Sequence, residues 1–398
     1  MRSAQTNKNK QDAVLAVANA VVQRLRLADG VSRIDLAREM GLAPSTIGSY
    51  VERLIADGVL REGKKVPYKG GRPATTLELN PQMGQFVGVD FEARQITAAA
   101  IDFSQESLNR CVLKISSADT AKSVVTKIKK AIAAVGDAGP RLLGIGIGVP
   151  GTVDIPRGIA VHYEFISGWR AIPLAKRLAD KFGVPVYLDN NIRAMALAER
   201  LFGRAKQVDN FVCVGIRSGI GAGVVVERKL HRGFGNMAGE IGGWPCPSLP
   251  GALNSPRPST LEHQASVRAI LAQLTQAIDE GAESGLTVAR PRSIVIEDVI
   301  SAAHHGDPLV LRVLGRAAEH LGRALCQINL LLNPEQIIIA GPLAELEQSF
   351  LAPVRSVVES LTPQLHGRVP RIEASQMGEY GGALGAAALA VHHWTPAA

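Results

Sequence analysis

The sequence predicts a mixed α/β protein that begins with a small helical domain and continues as two similar α/β lobes. Three observations support this fold class. Apolar residues recur at helical spacing through residues 14–55. From residue 86 onward, a pair of strand-like segments followed by alternating helical and strand-like segments occurs twice. The chain has 398 residues, of which 46% are apolar, and this is enough for two or three domains with sizeable cores.

Two helices are predicted near the N-terminus. Valine, alanine and leucine at helical spacing indicate a helix over roughly residues 11–27. Ser32 and Asp35 resemble a capping box, in which each side chain accepts a hydrogen bond from the other residue's backbone. This pattern predicts a second helix over residues 33–40.

A third helix follows a turn at Gly41. Pro44 suits the first turn of this helix, because the N–H that proline lacks would be unpaired there. Apolar side chains form one stripe on it, namely Ile47, Val51, Leu54 and Ile55. Polar side chains fall on the other face, namely Ser45, Thr46, Ser49, Tyr50 and Arg53. Helix, glycine-containing turn and helix is the helix-turn-helix pattern, whose second helix enters the major groove of DNA.

A basic hairpin is predicted directly after the third helix. Residues 59–62 and 75–79 read as two strands, and the loop between them carries four cations, Lys64, Lys65, Lys69 and Arg72. Such a loop is typical of a winged helix-turn-helix, in which the wing lies on phosphates and Arg72 would enter the minor groove. Helical periodicity alone also fits a generic helical bundle. The hairpin favours the interpretation of residues 1–80 as a DNA-binding domain, whose candidate contacts are Ser45, Thr46, Ser49, Tyr50, Arg53, Lys64, Lys65 and Arg72.

The charge distribution agrees with this interpretation. The net charge is +8, and residues 1–80 hold 13 Lys and Arg against 8 Asp and Glu, whereas the rest of the chain holds 31 against 28. A basic excess concentrated in one segment is typical of nucleic-acid binding, although a solvated basic surface gives the same count. No apolar run reaches the roughly 18 residues of a membrane span. The four cysteines are scattered without a C-x-x-C pair, which favours a reducing cytoplasm.

The rest of the chain is predicted to alternate between strands and helices. Strands are expected at 85–90, 96–102, 111–116, 142–148, 184–188, 211–216, 221–227 and 337–340. Helices are expected at 121–135, 173–182 and 309–332 and in the small-residue segment that closes the chain. Residues 245–259 form a Pro/Ser-rich loop that can be neither helix nor central strand.

Several glycine-rich motifs together resemble one family. They are GGRPA at 70–74, GIGIGVPGTVD at 144–154, LDNNIRAMALAE at 188–199, SGIGAG at 218–223, GNMAGEIGG at 235–243 and IIIAGPL at 337–343. In this combination the chain resembles the ROK proteins, the repressors and sugar kinases of the actin-like ATPase superfamily. The resemblance implies an actin-like (RNase H-like) fold of two lobes with a ligand between them. It implies a first lobe at 81–190, a second lobe at 191–379 for effector binding and oligomerisation, and a last helix, 380–395, that returns to the first lobe.

Two departures from the family's kinases indicate that catalysis is lost. Family kinases carry an Asp followed by a Gly-Gly-Thr turn, and here Glu92 and Ala93 replace the glycines where phosphates need space. The kinases also place an Asn-Asp pair eight residues before a helical Glu. Counting back from Glu199 puts Asn191 at the position of the catalytic Asp, and an amide cannot accept a proton near neutral pH. Asp189 is shifted by two residues and does not replace it. No catalytic residue and no bound ATP are therefore predicted.

The resemblance implies a sugar-binding region. By position in the family, the effector-binding residues are Gly151, Asn190, Asn191, Glu240 and Glu262. Carboxylates and amides suit this role because they exchange hydrogen bonds with hydroxyl groups.

The ligands of the family's zinc ion are missing. The position of the family's zinc-binding histidine is occupied here by Gly243. The positions of its three zinc-binding cysteines are occupied by Leu253, Ser255 and Thr260. We therefore predict no zinc and no other cofactor. We expect the Pro/Ser-rich loop to take the metal's place in positioning Glu262.

The sequence as a whole predicts a sugar-responsive DNA-binding regulator in the cytoplasm, a repressor of genes for carbohydrate uptake or catabolism. Its predicted partners are double-stranded operator DNA, a small carbohydrate effector and further copies of itself in a homodimer or homotetramer, with no membrane partner. Two alternatives remain open. One is an ATP-dependent carbohydrate kinase with an appended DNA-binding domain. The other is a ligand-independent DNA-binding scaffold whose lobes serve only dimerisation.

Overall fold

The computed structural model describes residues 2–28, 30–68, 71–92, 94–137, 139–246, 259–286, 294–362 and 368–396; side chains of residues 2–13, 68, 71 and 72 are not described. The helices of the described residues are α1 Arg2–Leu27, α2 Arg33–Met40, α3 Pro44–Ala56, α4 Ala121–Gly136, α5 Leu174–Phe182, α6 Asn191–Leu201, α7 Leu261–Ala265, α8 Val267–Asp279, α9 Ile296–His304, α10 Pro308–Leu332, α11 Ala352–Leu361 and α12 Gly381–His393. The strands are β1 Leu60–Tyr68, β2 Gly71–Leu79, β3 Gln85–Phe91, β4 Gln95–Asp102, β5 Ser107–Lys114, β6 Leu142–Val149, β7 Thr152–Asp154, β8 Ile159–His162, β9 Arg170–Ile172, β10 Val186–Asn190, β11 Phe211–Ile216, β12 Ile220–Val226, β13 Lys229–His231, β14 Gln336–Ala340 and β15 Arg371–Ala374.

The N-terminal segment folds as three helices and an antiparallel hairpin. The predicted capping box of α2 is present, since Asp35 N–H donates to Ser32 Oγ and Ser32 N–H donates to Asp35 Oδ2 at 3.0 Å. Gly41 ends α2 in the left-handed conformation. Side chains from α1, α2, α3 and the hairpin bury one another, among them Val21, Leu36, Val51 and Leu77. The helical bundle and hairpin therefore share one apolar core.

The chain divides into two compact units. The first comprises Met1–Asp189 and Ala386–Ala398, and the second comprises Asn190–Gly385. The sequence had suggested boundaries after residues 80, 190 and 379. The first unit contains both the N-terminal segment and a five-stranded sheet of order β10-β6-β3-β4-β5. α4 and α5 pack on this sheet through apolar side chains such as Ile128, Ile132 and Leu178.

The second unit repeats the same topology. Its five-stranded sheet has the order β13-β12-β11-β14-β15, so that an antiparallel meander is extended by two parallel strands as in the first sheet. α6 covers one face through Ile192 and Met195. α7, α8, α10 and α11 contribute to the apolar core on the other face, which contains Leu274, Leu321 and Val354. The prediction of an α/β chain with two similar halves is therefore confirmed.

Several predicted boundaries were wrong. α1 begins at Arg2, well before residue 11, and the hairpin strands extend through most of the predicted loop, so that Lys64 and Lys65 lie in β1 and the backbone of Arg72 lies in β2. Lys69 falls outside the described residues. The sequence also missed the small three-stranded sheet β7-β8-β9 and helices α8, α9 and α11.

Candidate functional site

The exposed face of α3 is the first candidate surface. Ile47, Val51 and Leu54 are buried against the rest of the N-terminal segment, which fixes the direction in which the helix presents its polar side. Of the predicted DNA contacts on that side, Ser45, Thr46, Ser49 and Arg53 are exposed, and Tyr50 is half-buried. Ser49 Oγ donates to Ser45 O at 3.3 Å, so one hydroxyl is partly engaged within the helix. The structure thus places short hydroxyl groups and one guanidinium on a single accessible face.

The hairpin supplies a second part of this surface. Lys64 and Lys65 are exposed in β1, and neither has an acidic partner among the residues whose contacts are described. The pairing of β1 with β2 is irregular between Glu62 and Lys65, and Thr76 Oγ1 donates to Lys64 O at 3.0 Å. This bond fixes the backbone from which the lysine side chains project. The side chain of Arg72 lies outside the described residues, and its contact with DNA stays a prediction.

Other cations of the hairpin and its neighbours are paired. Arg61 lies 2.9 Å from Glu78, and Arg33 lies 3.0 Å from Glu62. Exposed pairs of this kind contribute little to stability, but they reduce the charge available to a polyanion. Lys64 and Lys65 are therefore the cations of β1 best placed to bind phosphates.

The second candidate region surrounds the start of α6. Asn190 is the N-cap of this helix, and its side-chain oxygen accepts hydrogen bonds from Ile192 N at 2.9 Å and Arg193 N at 3.4 Å. Any bond from Asn190 to a ligand hydroxyl would therefore have to come from its NH2 group. Asn191 is buried in the first turn of α6, and Asp189 is fully buried in β10.

Glu262 is held beside the loop that carries SGIGAG. Its Oε2 accepts a hydrogen bond from Ile220 N at 3.2 Å, and its Oε1 lies 3.4 Å from Arg268 Nη2. A Cβ at Gly219 would lie only 2.6 Å from Glu262 Oε2, so this glycine makes room for the carboxylate. Glu262 is thus fixed by its surroundings, with its carboxylate against the backbone of β12.

The two ends of the Pro/Ser-rich loop also help to position Glu262. Pro245 and Thr260 form an antiparallel bridge, and Leu261 N donates to Trp244 O at 3.0 Å. Cys246 N donates to Ser259 O at 2.8 Å. These bonds set the start of α7, which carries Glu262. Residues 247–258 lie outside the described residues, so the expected role of the loop itself stays a prediction.

Glu240 lies in the same unit, on the turn that follows Gly239. Its side chain is exposed, yet partial desolvation by the surrounding loop raises the pKa of the carboxyl group. The charge of Arg193 opposes this rise, whereas that of Glu262 adds to it. Arg193 is buried, and its Nη1 donates to Asn236 O at 2.6 Å. The two glutamates and Arg193 therefore interact electrostatically within one region of the second unit.

Sequence reasoning missed Arg193 and Arg268, although one signal was present. Arg193 is the only charged residue between Asn191 and Glu199 in an alanine-rich helix, and an isolated charge on such a helix indicates an interaction with a polar group elsewhere.

Gly151, the remaining predicted effector contact, belongs to the first unit. It lies two residues after the end of β6. Its φ of +72° is a backbone conformation that would be strained for a residue with a side chain.

The absence of the family's zinc ion stays a prediction, because two of the four ligand positions, residues 253 and 255, lie outside the described residues. A closed zinc site needs four nitrogen, sulfur or carboxylate ligands. Gly243 stands where the family has its zinc-binding histidine. A Cβ at Gly243 would meet nothing within 4 Å, so the space around this position is open. Cys246 Sγ lies 2.8 Å from Nδ1 of the buried His320, and these two groups satisfy each other. Within the described ranges, no group of three potential metal ligands comes together.

The turn between β3 and β4, where the family's kinases carry glycines, is closed by a backbone hydrogen bond. Asp90 is buried in β3, and Glu92 N donates to Gln95 O at 3.0 Å across the turn to β4. Glu92 is half-buried, and Ala93 lies outside the described residues.

No helix in the described part of the chain combines the length and the apolar character that crossing a membrane requires.

Comparison with known proteins gives consistent results. A family model described as the ROK family matches residues 86–393. A xylose repressor of Caldicellulosiruptor bescii is 26% identical over 368 residues, which are 91% of this chain and 92% of that protein. A crystal structure of a ROK family transcriptional regulator, a homologue of the Escherichia coli MLC protein, matches with a TM-score of 0.79 and 26% identity, covering 95% of this chain and 96% of its own. A ROK family glucokinase from Streptomyces griseus, in complex with glucose and AMPPNP, matches with a TM-score of 0.67 and 27% identity, covering 77% of this chain and 99% of its own.

Proposed function

This chain belongs to the ROK family, and we propose that it is a sugar-responsive repressor that binds operator DNA through residues 1–80. The observation that carries the proposal is the full-length likeness to repressors together with an exposed polar face on α3 and two exposed lysines on β1. The family model begins only at residue 86, after the hairpin, and the glucokinase structure covers only 77% of the chain. The kinase likeness therefore leaves the DNA-binding segment unexplained.

We further propose that the second unit binds a small neutral carbohydrate through Asn191, Glu240 and Glu262, with Asn190 contributing. Two carboxylates and an amide offer the acceptors that a polyol needs, and Glu262 is already fixed by backbone contacts. Relatives named as xylose repressors, as an N-acetylglucosamine repressor and as a glucokinase make pentoses and hexoses the first ligands to test. A sugar can alter DNA binding only if its affinity differs between the DNA-bound and free states.

The proposal includes the absence of catalysis. It is supported by Asn191 at the family's catalytic position and by Glu92 in the turn that kinases keep free for phosphates. Neither zinc nor ATP has a role in the proposed function. A regulator of this kind acts in the cytoplasm, and a homodimer or homotetramer would present two copies of α3 to a palindromic operator.

The test uses fluorescence anisotropy with a labelled duplex from the region upstream of the protein's own gene. Titration with D-xylose, D-glucose and N-acetylglucosamine should change the DNA affinity for at least one sugar. A parallel assay with Mg-ATP and each sugar should show no sugar-dependent ATP turnover. DNA affinity that no carbohydrate alters would favour the ligand-independent scaffold, and sugar-dependent ATP turnover would favour the kinase.

A further inference from the structure

We propose that Arg26 is a positioning residue that fastens α1 to the first lobe and keeps this attachment reversible. Arg26 lies in the last turn of α1, just before the helix-turn-helix, and only 7% of the residue is exposed. It therefore cannot act as a phosphate contact in the way that exposed cations of the same segment can.

The guanidinium of Arg26 is enclosed by residues from two other parts of the first unit. Its Cζ lies 5.4 Å from the ring centroid of Phe103 and 5.4 Å from that of Trp394. The two rings meet edge to face with their centroids 4.7 Å apart. Nη1 of Arg26 donates to Val391 O in α12 at 2.7 Å. One side chain thus joins the DNA-binding segment to the turn after β4 and to the C-terminal helix.

A backbone contact strengthens the same junction. Gln105, in the turn between β4 and β5, donates from Nε2 to Arg26 O at 3.2 Å. Its backbone adopts a φ of +74°, which is unusual for a residue other than glycine. Phe103 also stacks against Phe86 of β3, so the aromatic cluster continues into the first sheet.

The charge at this junction is compensated only in part. Nε and Nη2 of Arg26 are buried, and neither has a hydrogen-bond partner among the described residues. Burial lowers the pKa of Arg26 to about 9, so the group is still charged near neutral pH. Aromatic faces and one carbonyl offset only part of the desolvation of a guanidinium. An apolar side chain of similar length would fill the same space without this penalty.

The buried charge of Arg26 makes the contact between α1 and the Phe103–Trp394 cluster easier to open. An apolar side chain in this place would favour the closed junction more strongly, whereas the guanidinium of Arg26 regains its hydration when the junction opens. We infer that α1 can leave Phe103 and Trp394 and return, so that the orientation of the DNA-binding segment is adjustable. Only the effect on DNA affinity depends on the proposed function; the junction itself does not.

Hydrogen exchange on the full-length protein tests this inference with three variants. Arg26→Ala removes both the packing and the charge, Arg26→Met keeps the packing and removes the charge, and Arg24→Ala is the control. Arg24 lies on the same helix but pairs with Glu39 within the DNA-binding segment, at 2.9 Å between Nη2 and Oε1. Each variant removes one cation from α1, so non-specific electrostatic effects are matched.

The expected result differs for each variant. Arg26→Ala should raise exchange in the last turns of α1 and in residues 386–394 by about tenfold, because a cation–π pair and a hydrogen bond are lost. Arg26→Met should slow exchange there below that of the unmodified protein, and Arg24→Ala should leave residues 386–394 unchanged. If Arg26→Met raised exchange as much as Arg26→Ala, the inference of a reversible junction would be overturned. If neither variant changed exchange, the positioning role would be overturned as well.

Binding to the upstream duplex provides a second readout. Arg26→Met should reduce the range over which DNA affinity responds to the active sugar, because α1 is held in one orientation. Should the unmodified protein bind no duplex at all, the proposed function fails, yet the exchange experiment still decides whether Arg26 fastens α1.

Discussion

Replacing Lys64 and Lys65 by alanine together removes two exposed cations from β1. Both side chains project from a strand whose backbone is fixed by the bond from Thr76 to Lys64 O, and neither is engaged by a described acidic residue. We therefore expect the double variant to fold normally and to lose two phosphate contacts. The loss should be similar for specific and non-specific duplexes, since phosphate contacts carry no sequence information.

The size of the effect follows from counterion release. Each phosphate contact contributes about 0.9 to the slope of log Kobs against log salt, so the two lysines together contribute about 1.8. Between 50 and 200 mM salt, the unmodified protein should then lose about twelvefold more affinity than the double variant. Single variants should each produce about half of the change in slope.

Fluorescence anisotropy across this salt range measures the slope directly. A variant with Lys122→Ala and Lys130→Ala serves as the control, because it removes two exposed cations from α4, outside the DNA-binding segment. Its slope should equal that of the unmodified protein. Equal slopes for the hairpin variant and the unmodified protein would refute the assignment of β1 to the DNA interface.

Three further predictions concern the helix cap and the proposed sugar region. Asp35→Ala should weaken α2 by about 1 kcal/mol, seen as faster hydrogen exchange in that helix. Hydrogen bonds from Ser32 lower the pKa of Asp35, so the stabilisation is present at neutral pH and is lost as the pH falls through the pKa of Asp35 in the folded state. A difference in exchange between the variant and the unmodified protein that stays the same at all acidic pH values would contradict this explanation. Partial desolvation raises the pKa of Glu240, so sugar affinity should fall at a higher pH on acidification than for an ordinary carboxylate, and Glu240→Gln should abolish that fall in calorimetry. Gly219→Ala should displace Glu262 and weaken sugar binding at least tenfold without changing DNA affinity in the absence of sugar, whereas unchanged calorimetry would exclude Glu262 from the site.

Local signals explain which parts of the fold the sequence predicted well. The bounds of α2 follow from the cap at Ser32 and from Gly41, both of which act within a few residues. The hairpin was predicted too short because Pro67 and the flanking lysines are typical of loops, whereas pairing with β2 extends β1 through them. The small sheet β7-β8-β9 has strands of only three or four residues, too short for alternation to be recognised.

The candidate site was predictable only in part, because its geometry depends on distant contacts. Motif position drew attention to Glu240 and Glu262, but the bond from Ile220 to Glu262 joins residues 42 positions apart. Arg26 looks like an ordinary surface cation in the sequence. Its burial depends on Val391, 365 residues away, and on two aromatic rings that no local pattern connects to α1.

The central claim is that this protein senses a carbohydrate without transforming it and reports the result through DNA. The most direct measurement incubates the full-length protein with Mg-ATP, the upstream duplex and the sugar that alters DNA affinity, and then determines the mass of the recovered sugar. We predict that DNA affinity changes while all of the sugar is recovered with its original mass. Recovery of a phosphorylated sugar at catalytic turnover would contradict the claim.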